Sequence, residues 1–305
     1  MQGTVKKDVI VIGAGPAGLC CAAWCRELGL SVLVLEAAAE SGGQLLWING
    51  PIANYPGIKA ANGREFRELF MPENIEELIR CEIRVTSIDT VSRTVATTDG
   101  TFAAEAVVIA TGVSRRTLKI PGEKEFFGRG VLHSGAGSKG EMGGKDVVIV
   151  GGGDAAFENA MILSGAARSV AVVHRRDRFT ARKEFLDAVL SRPNVKLIRN
   201  AALAEIAGDD AVRSVSIRDV LTGEMTTLPA DAVLIRIGVA PNTEFVPAEV
   251  SRDSDGYLLV DHLCRTKVEA VFAVGDITGR VAPTIVSAAG NGATAAKAVR
   301  MLVRS

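Results

Sequence analysis

Gly13, Gly15 and Gly18, in the stretch GAGPAG between the apolar run DVIVI and an alanine-rich segment, have the spacing of a turn that receives a pyrophosphate. The first glycine permits the tight turn, the second lets phosphate approach the backbone, and the third lets a helix pack on a strand. The helix N-terminus at Pro16 and Ala17 then offers its uncommitted N–H groups to the anion. Glu36 ends the next apolar run, 18 residues beyond Gly18, where a carboxylate accepts hydrogen bonds from a ribose diol. Strand, turn, helix, strand and acid together make a much stronger signal than the three glycines alone.

The layout returns in KDVVIVGGGDAAFENAMILSGAARSVAVVHRRD, with Gly151, Gly153 and Ala156 at the fingerprint positions and Asp154 and Ala155 opening the helix. The offset of 138 that separates Gly13 from Gly151 carries Glu36 to His174, which Arg175 and Arg176 follow. A carboxylate there would repel a ribose 2′-phosphate, whereas guanidinium forks hold one by paired hydrogen bonds. The second copy is therefore expected to take NADPH and the first FAD or NAD. A solvated basic patch at a strand end is the plainer alternative.

Other elements must position these turns. AEAVVIATG (104–112) and ADAVLIRIGVAPNT (230–243) are apolar strands ending in glycine turns at matching places after each copy. AVFAVGDITG (270–279) puts Asp276 at a strand end, where it can hold a polyol hydroxyl, and PTIVSAAGNGATAAKAVRMLV follows as a helix with small residues near its start. Between them, alternating segments with Asp-Gly and Thr-Gly turns predict small antiparallel sheets. The fold class is α/β: two Rossmann-like βαβ domains of three layers each.

At 305 residues and 48% apolar content the chain can build two cores, and 35 basic against 35 acidic residues leave no field that draws it to nucleic acid. The first strand begins within a few residues of Met1, without room for a secretory leader, and no apolar run approaches bilayer length, so a cytoplasmic setting without membrane insertion is expected. Cys20, Cys21, Cys25, Cys81 and Cys264 form no CxxC and no even framework, and three scattered histidines have no ligand spacing; structural thiols and no metal are expected. Cys21 and Cys25 are placed to face each other on one helix. His262 and Cys264 are expected to be structural. GAGSKGE (135–141) mimics a phosphate-binding P-loop, but Glu141 stands where that loop needs lysine.

Taken together, GAGPAG, Glu36, GGQ (42–44), YPG (55–57), ATG (110–112), GGGDAA, HRRD, IGVAPNT and VFAVGDI resemble the thioredoxin reductase group of flavoproteins over nearly the whole chain. The resemblance implies an FAD domain from residues 1–115 and 241–305, with an NADPH domain, 116–240, inserted between them, and a homodimer. It implies FAD contacts at Gly43, Gln44, Ala110, Thr111, Gly112, Gly275, Asp276, Thr284 and Ile285 as well as at the first fingerprint. Arg182, with Arg178, would make up for Thr180, which stands where the group has a third arginine. Ala282, Pro283 and Thr284 replace a tyrosine-arginine-glutamine run beside the isoalloxazine.

The chain departs from the group at the redox centre. Thioredoxin reductases carry a CxxC and an acid before the second fingerprint, and those positions here hold Ser134, Gly137 and Ser138. Serine does not cycle between disulfide and thiolate, and glycine has no side chain. Electrons from NADPH are then expected to leave FAD directly for an acceptor docking near His133, Ser134 and Gly137: a ferredoxin, a flavodoxin, a quinone, dioxygen or another small molecule. Domain rotation, needed where dithiol and nicotinamide alternate at the flavin, would lose its purpose. Two alternatives stay open. One is a biosynthetic oxidase or dehydrogenase with His133 as acid-base group, although a lone histidine in a glycine-rich loop is more often a surface residue. The other is a non-catalytic FAD-binding redox sensor.

Overall fold

The computed structural model describes residues 6–279 and 281–304, and the chain forms two compact units, Met1–Ser114 with Ala240–Ser305 and, separately, Arg115–Val239. In unit 1, Lys7–Ile12 lies between Val32–Leu35 and the far half of Gly100–Ile109, all parallel. Ile79–Arg80 extends one side and Val271–Ala273 the other. Both faces of this sheet are covered, which is why its strands are unbroken apolar runs. Val9, Val11 and Val108 pack with the helices Pro16–Glu27 and Ile285–Val303, while Ile10, Ile12 and Ile109 pack with Ile88, Val95 and Leu258. The long strand Gly100–Ile109 also serves a second layer: its first residues pair antiparallel with Thr94–Thr97, which pairs with Val85–Asp89.

The helix Ile285–Val303 begins where expected, with the Thr284 hydroxyl accepting the Ser287 N–H at 3.2 Å in a capping box. It crosses Pro16–Glu27 at Gly292, where a Cβ would stand 2.3 Å from the Ala17 carbonyl oxygen, so the glycine sets how closely the two helices approach.

Unit 2 has a five-stranded parallel sheet in the order Val131–Leu132, Ala232–Ile235, Asp146–Val150, Ser169–Val173, Val195–Ile198. Asp154–Ser164 and Lys183–Leu190 cover one face through Phe157, Leu163 and Val189. An antiparallel sheet of Ala201–Gly208, Val212–Asp219 and Met225–Pro229 covers the other through Leu203, Val215 and Ile217. Both units are thus three-layer Rossmann-like folds with small antiparallel sheets.

The repeat extends to a contact that lies outside the fingerprint. In unit 1 the Asp8 carboxylate accepts the Ser31 N–H at 2.7 Å and the Ser31 hydroxyl at 2.9 Å, tying the starts of the first two strands. In unit 2 Asp146 accepts the Ser169 hydroxyl at 2.7 Å and Arg168 Nε at 2.9 Å in the same place. Among the described residues no helix is long and apolar enough to cross a membrane, and no group of three or more His, Cys, Asp or Glu side chains could hold a metal.

Candidate functional site

In unit 1 the three fingerprint glycines are needed for different reasons. Gly13 has φ +103°, and a Cβ on it would lie 2.6 Å from the Ala110 carbonyl oxygen; one on Gly18 would lie 1.9 Å from that of Gly13. Packing forbids a side chain at both. A Cβ on Gly15 would meet nothing within 4 Å, so the space above it is left for something other than protein. Gly15 is also the N-cap of Pro16–Glu27, and no side chain caps that helix. An open approach, uncapped N–H groups and no acid in the first turn suit a pyrophosphate.

Glu36 stands at the end of Val32–Leu35 with one oxygen accepting the Ala14 N–H at 2.7 Å and the other the Ala38 N–H at 2.8 Å. The carboxylate is held in one orientation with lone pairs left for a diol. The GGQ turn folds against the fingerprint: Gly42 N–H donates to the Ala14 carbonyl at 2.8 Å, and a Cβ on Gly43 would come within 3.0 Å of Gly15 Cα. Gln44 Nε2 donates to Asp276 Oδ2 at 3.1 Å. Burial pushes the Asp276 carboxyl above its usual value, and the Gln44 hydrogen bond opposes that rise. Gly275, at φ +75°, puts its Cα where a Cβ would be 2.8 Å from Ala17 Cβ. Thr111 is tied to Asn242 both ways, hydroxyl to carbonyl at 2.9 Å and amide to carbonyl at 2.8 Å, which fixes the turn Ala110–Gly112. The Thr284 hydroxyl is engaged in its helix cap, and Ile285 packs on the cluster of Leu45, Ile52 and Phe66. These side chains and glycines leave room and polar groups at the strand ends of the kind a dinucleotide needs.

Unit 2 repeats the backbone with different side chains. A Cβ on Gly151 would lie 2.2 Å from the Arg236 carbonyl oxygen, as Gly13 meets Ala110, whereas Ala156 fills the place of Gly18 and is fully buried. Gly153 is again open, its nearest neighbour being Thr180 Oγ1 at 3.6 Å from a built Cβ. His174 does not take over the bond that Glu36 makes. Its ring lies flat over Gly152, where a Cβ would come within 2.5 Å of Nδ1, and its Nε2 faces the Arg178 carbonyl at 3.1 Å. Burial, then the charges of Arg176 and Arg175, holds its pKa below the usual value, so the ring is neutral at pH 7. The following loop is pinned by Thr180 and Ala181 N–H groups, both donating to the Gly152 carbonyl, at 2.7 and 3.0 Å.

Arg182 is committed elsewhere: its N–H and Nε each donate to the Asp154 carboxylate at 2.7 Å. That pairing screens an acid at a helix N-terminus where phosphate would approach. Ala155 continues the helix, its carbonyl accepting from Asn159 Nδ2 at 2.7 Å. Arg175 and Arg176 are exposed, and neither forms an ion pair with an acid among the described residues. Two exposed guanidiniums thus stand beside a neutral ring at the end of this strand.

His133 directly follows Val131–Leu132, in a bend, and is half-buried. Its carbonyl accepts from Arg236 Nη2 at 2.9 Å, its ring meets Phe127 edge-on at 6.2 Å, and its pKa is lowered by burial, then by Arg115 and Arg236. The glycine-rich stretch beyond it is a helical turn, Gly135–Ser138, capped by Ser134, whose hydroxyl accepts the Gly137 N–H at 3.2 Å. No thiol lies on that turn. All five cysteines are free, and Cys21 and Cys25 are both fully buried one turn apart on the first fingerprint helix. Hydrogen bonding to Cys25, together with burial, pushes the Cys21 thiol well up. Sequence reasoning missed Arg236 and Arg115; for Arg236 the signal was a charge inside the otherwise apolar run AVLIRIG.

The chain matches the family model described as pyridine nucleotide-disulphide oxidoreductase over residues 7–300. It is 36% identical over 297 residues to a thioredoxin reductase of Treponema pallidum (strain Nichols), covering 95% of each chain. Among solved structures, Lactococcus lactis thioredoxin reductase superposes with a TM-score of 0.80 at 32% identity, covering 98% of this chain and 99% of that one. A ferredoxin-flavin thioredoxin reductase from Clostridium acetobutylicum gives 0.51 at 27% identity, with 97% of both covered. FAD and NAD(P)H are the cofactors typical of such proteins, and both fingerprint turns have the room and the donors for them. The chain belongs to the pyridine nucleotide-disulphide oxidoreductases of class II, in the thioredoxin reductase-like group.

Proposed function

We propose that this oxidoreductase takes electrons from NADPH through FAD and passes them to an acceptor other than a disulfide carried on its own chain. The observation that carries the reading is the turn Ser134–Ser138, which presents a capping hydroxyl and glycines where the group's redox pair would stand. The remaining thiols are poor substitutes. Burial is the leading cause that raises the thiols of Cys20, Cys81 and Cys264, the last to about 11, so little reactive thiolate exists at neutral pH. When bound, the flavin supplies the ring that accepts hydride and releases electrons.

The chain's own residues bind and orient. Glu36 and Asp276 hold the flavin's ribose and polyol hydroxyls, the uncapped helix starts at Gly15 and Gly153 hold phosphates, and Arg175 and Arg176 select the 2′-phosphate. A ferredoxin, flavodoxin, quinone or dioxygen fits such an exit. A homodimer belongs to the same reading and is checked by sedimentation. His133 favours a second reading, an organic substrate oxidised or reduced at the same place. Its lowered pKa keeps the imidazole neutral and able to take a proton at Nδ1 or Nε2 at pH 7. An acceptor panel with purified, flavin-loaded protein decides. Brisk NADPH-dependent reduction of ferredoxin, quinone or dioxygen supports the proposal, and brisk reduction of thioredoxin overturns it.

A further inference from the structure

The parallel sheet of unit 2 ends in four neighbouring strand termini, followed in spatial order by His133, Arg236, Gly151 and His174. Ligands of such sheets lie outside the carboxyl ends of the strands. His174, Arg175 and Arg176 take one side of Gly151, and Arg236 with His133 takes the other. In unit 1 the place of Arg236 belongs to Ala110: Ala110 N–H donates to the Ile12 carbonyl at 2.8 Å and Arg236 N–H to the Val150 carbonyl at 2.7 Å. The fold needs only a methyl group there, and this chain has a guanidinium.

That guanidinium has no acid. Nη1 donates to the Ile235 carbonyl and Nη2 to the His133 carbonyl, each at 2.9 Å, and its other donors have no partner among the described residues. Neither Arg236 nor Arg115 forms an ion pair with a carboxylate among those residues. Burial, with the like charge of Arg115, lowers the pKa of Arg236 to about 10. At His133 both arginines act in the same direction, after burial, in lowering the imidazole pKa. A half-buried cation without a counterion, with the charge of the exposed Arg115 acting on it, carries a free-energy cost that an anion would relieve, and a planar fork suits a planar or tetrahedral oxyanion.

We propose that Arg236 and Arg115, beside His133, bind the carboxylate or phosphate group of a small acidic acceptor, at a site separate from the one that takes the dinucleotide phosphates. The identity of the ligand as the acceptor rests on the function proposed above; the anion site does not.

The test uses the full-length, flavin-loaded protein and follows the ring proton resonances of its three histidines by NMR while malonate, or inorganic phosphate, is added at constant ionic strength with chloride as control. The expected result is a saturable rise in the apparent pKa of His133, lost in R236Q, weakened about tenfold in R115Q and partly kept in R236K, with His174 unmoved by malonate. R236K retains the charge and serves if R236Q fails to fold. No response of His133 in the parent protein overturns the site, and full displacement of malonate by NADP+ overturns its separateness. In turnover, the ratio of KM for acidic to neutral acceptors should rise at least about tenfold in R236Q. An unchanged ratio with an intact anion response overturns the acceptor assignment, while turnover through a chain-borne dithiol would overturn only the earlier reading.

Discussion

The two dinucleotide units share a backbone and differ at the positions that choose a ligand. Gly13 and Gly151 both turn beneath a strand carbonyl, Gly15 and Gly153 are both open, and Asp8–Ser31 and Asp146–Ser169 tie the same strand starts. On this common frame Glu36 fixes the Ala14 N–H, while His174 lies over Gly152 and leaves Arg175 and Arg176 free; Ala110 is small, while its counterpart Arg236 brings a charge. Apart from the third fingerprint position, where Ala156 stands for Gly18, the copies agree where packing dictates and differ most at the ends of their strands, where a ligand would lie. That division leaves one backbone able to take two different dinucleotides.

The sharpest contrast should come at the third fingerprint position. Gly18→Ala forces a Cβ into the Gly13 carbonyl, so it should cost roughly 3 kcal/mol or more and release the flavin on gel filtration. Ala156→Gly should cost only about 1–2 kcal/mol, from helix propensity and a lost buried methyl, and leave NADPH binding intact. Equal effects in calorimetry would break the distinction between the two helix–strand contacts. A smaller effect is expected at the ligand-choosing residues. Arg175→Gln with Arg176→Gln should raise the KM for NADPH about 10- to 100-fold and leave that for NADH nearly unchanged. A parallel loss with both cofactors would assign the pair to general electrostatics.

The smallest effect belongs to the shared strand staple. Hydrogen bonding by the Ser31 backbone N–H holds Asp8 below the usual carboxylate range, and hydrogen bonding by Arg168 does the same for Asp146. Both lowered pKa values make the ionised form the stabilising one, so the contribution is present above about pH 4 and fades as pH falls through the depressed values. Asp8→Asn and Asp146→Asn should each lower stability by under about 1 kcal/mol at pH 7, and the difference from the parent should shrink below pH 4. A difference that grows in acid would contradict the staple.

Much of this was legible from periodicity and glycine spacing. Apolar runs of strand length separated by helical ones placed both parallel sheets, and the offset of 138 paired their turns. The geometry of the candidate site was legible where spacing dictates a turn, as at the fingerprint glycines and at Glu36 at the end of the next strand. It was hidden where a side chain's partner lies far along the chain. Arg182 looked available for phosphate, yet its geometry pairs it with Asp154; His133 lies in a bend, and what the sequence hid is its half-burial beside the strand Val131–Leu132. The equivalence of Ala110 and Arg236 needs strand register, since their separation is 126 rather than 138 and a fixed offset misses it.

Counting electrons tests the central claim most directly. Flavin-loaded protein, titrated anaerobically with NADPH while flavin absorbance and free thiols are followed together, should be fully reduced by about one NADPH per flavin with no new thiols. Uptake of about two per flavin, with a matching rise in thiol titre, would reveal a disulfide centre on the chain and contradict the account.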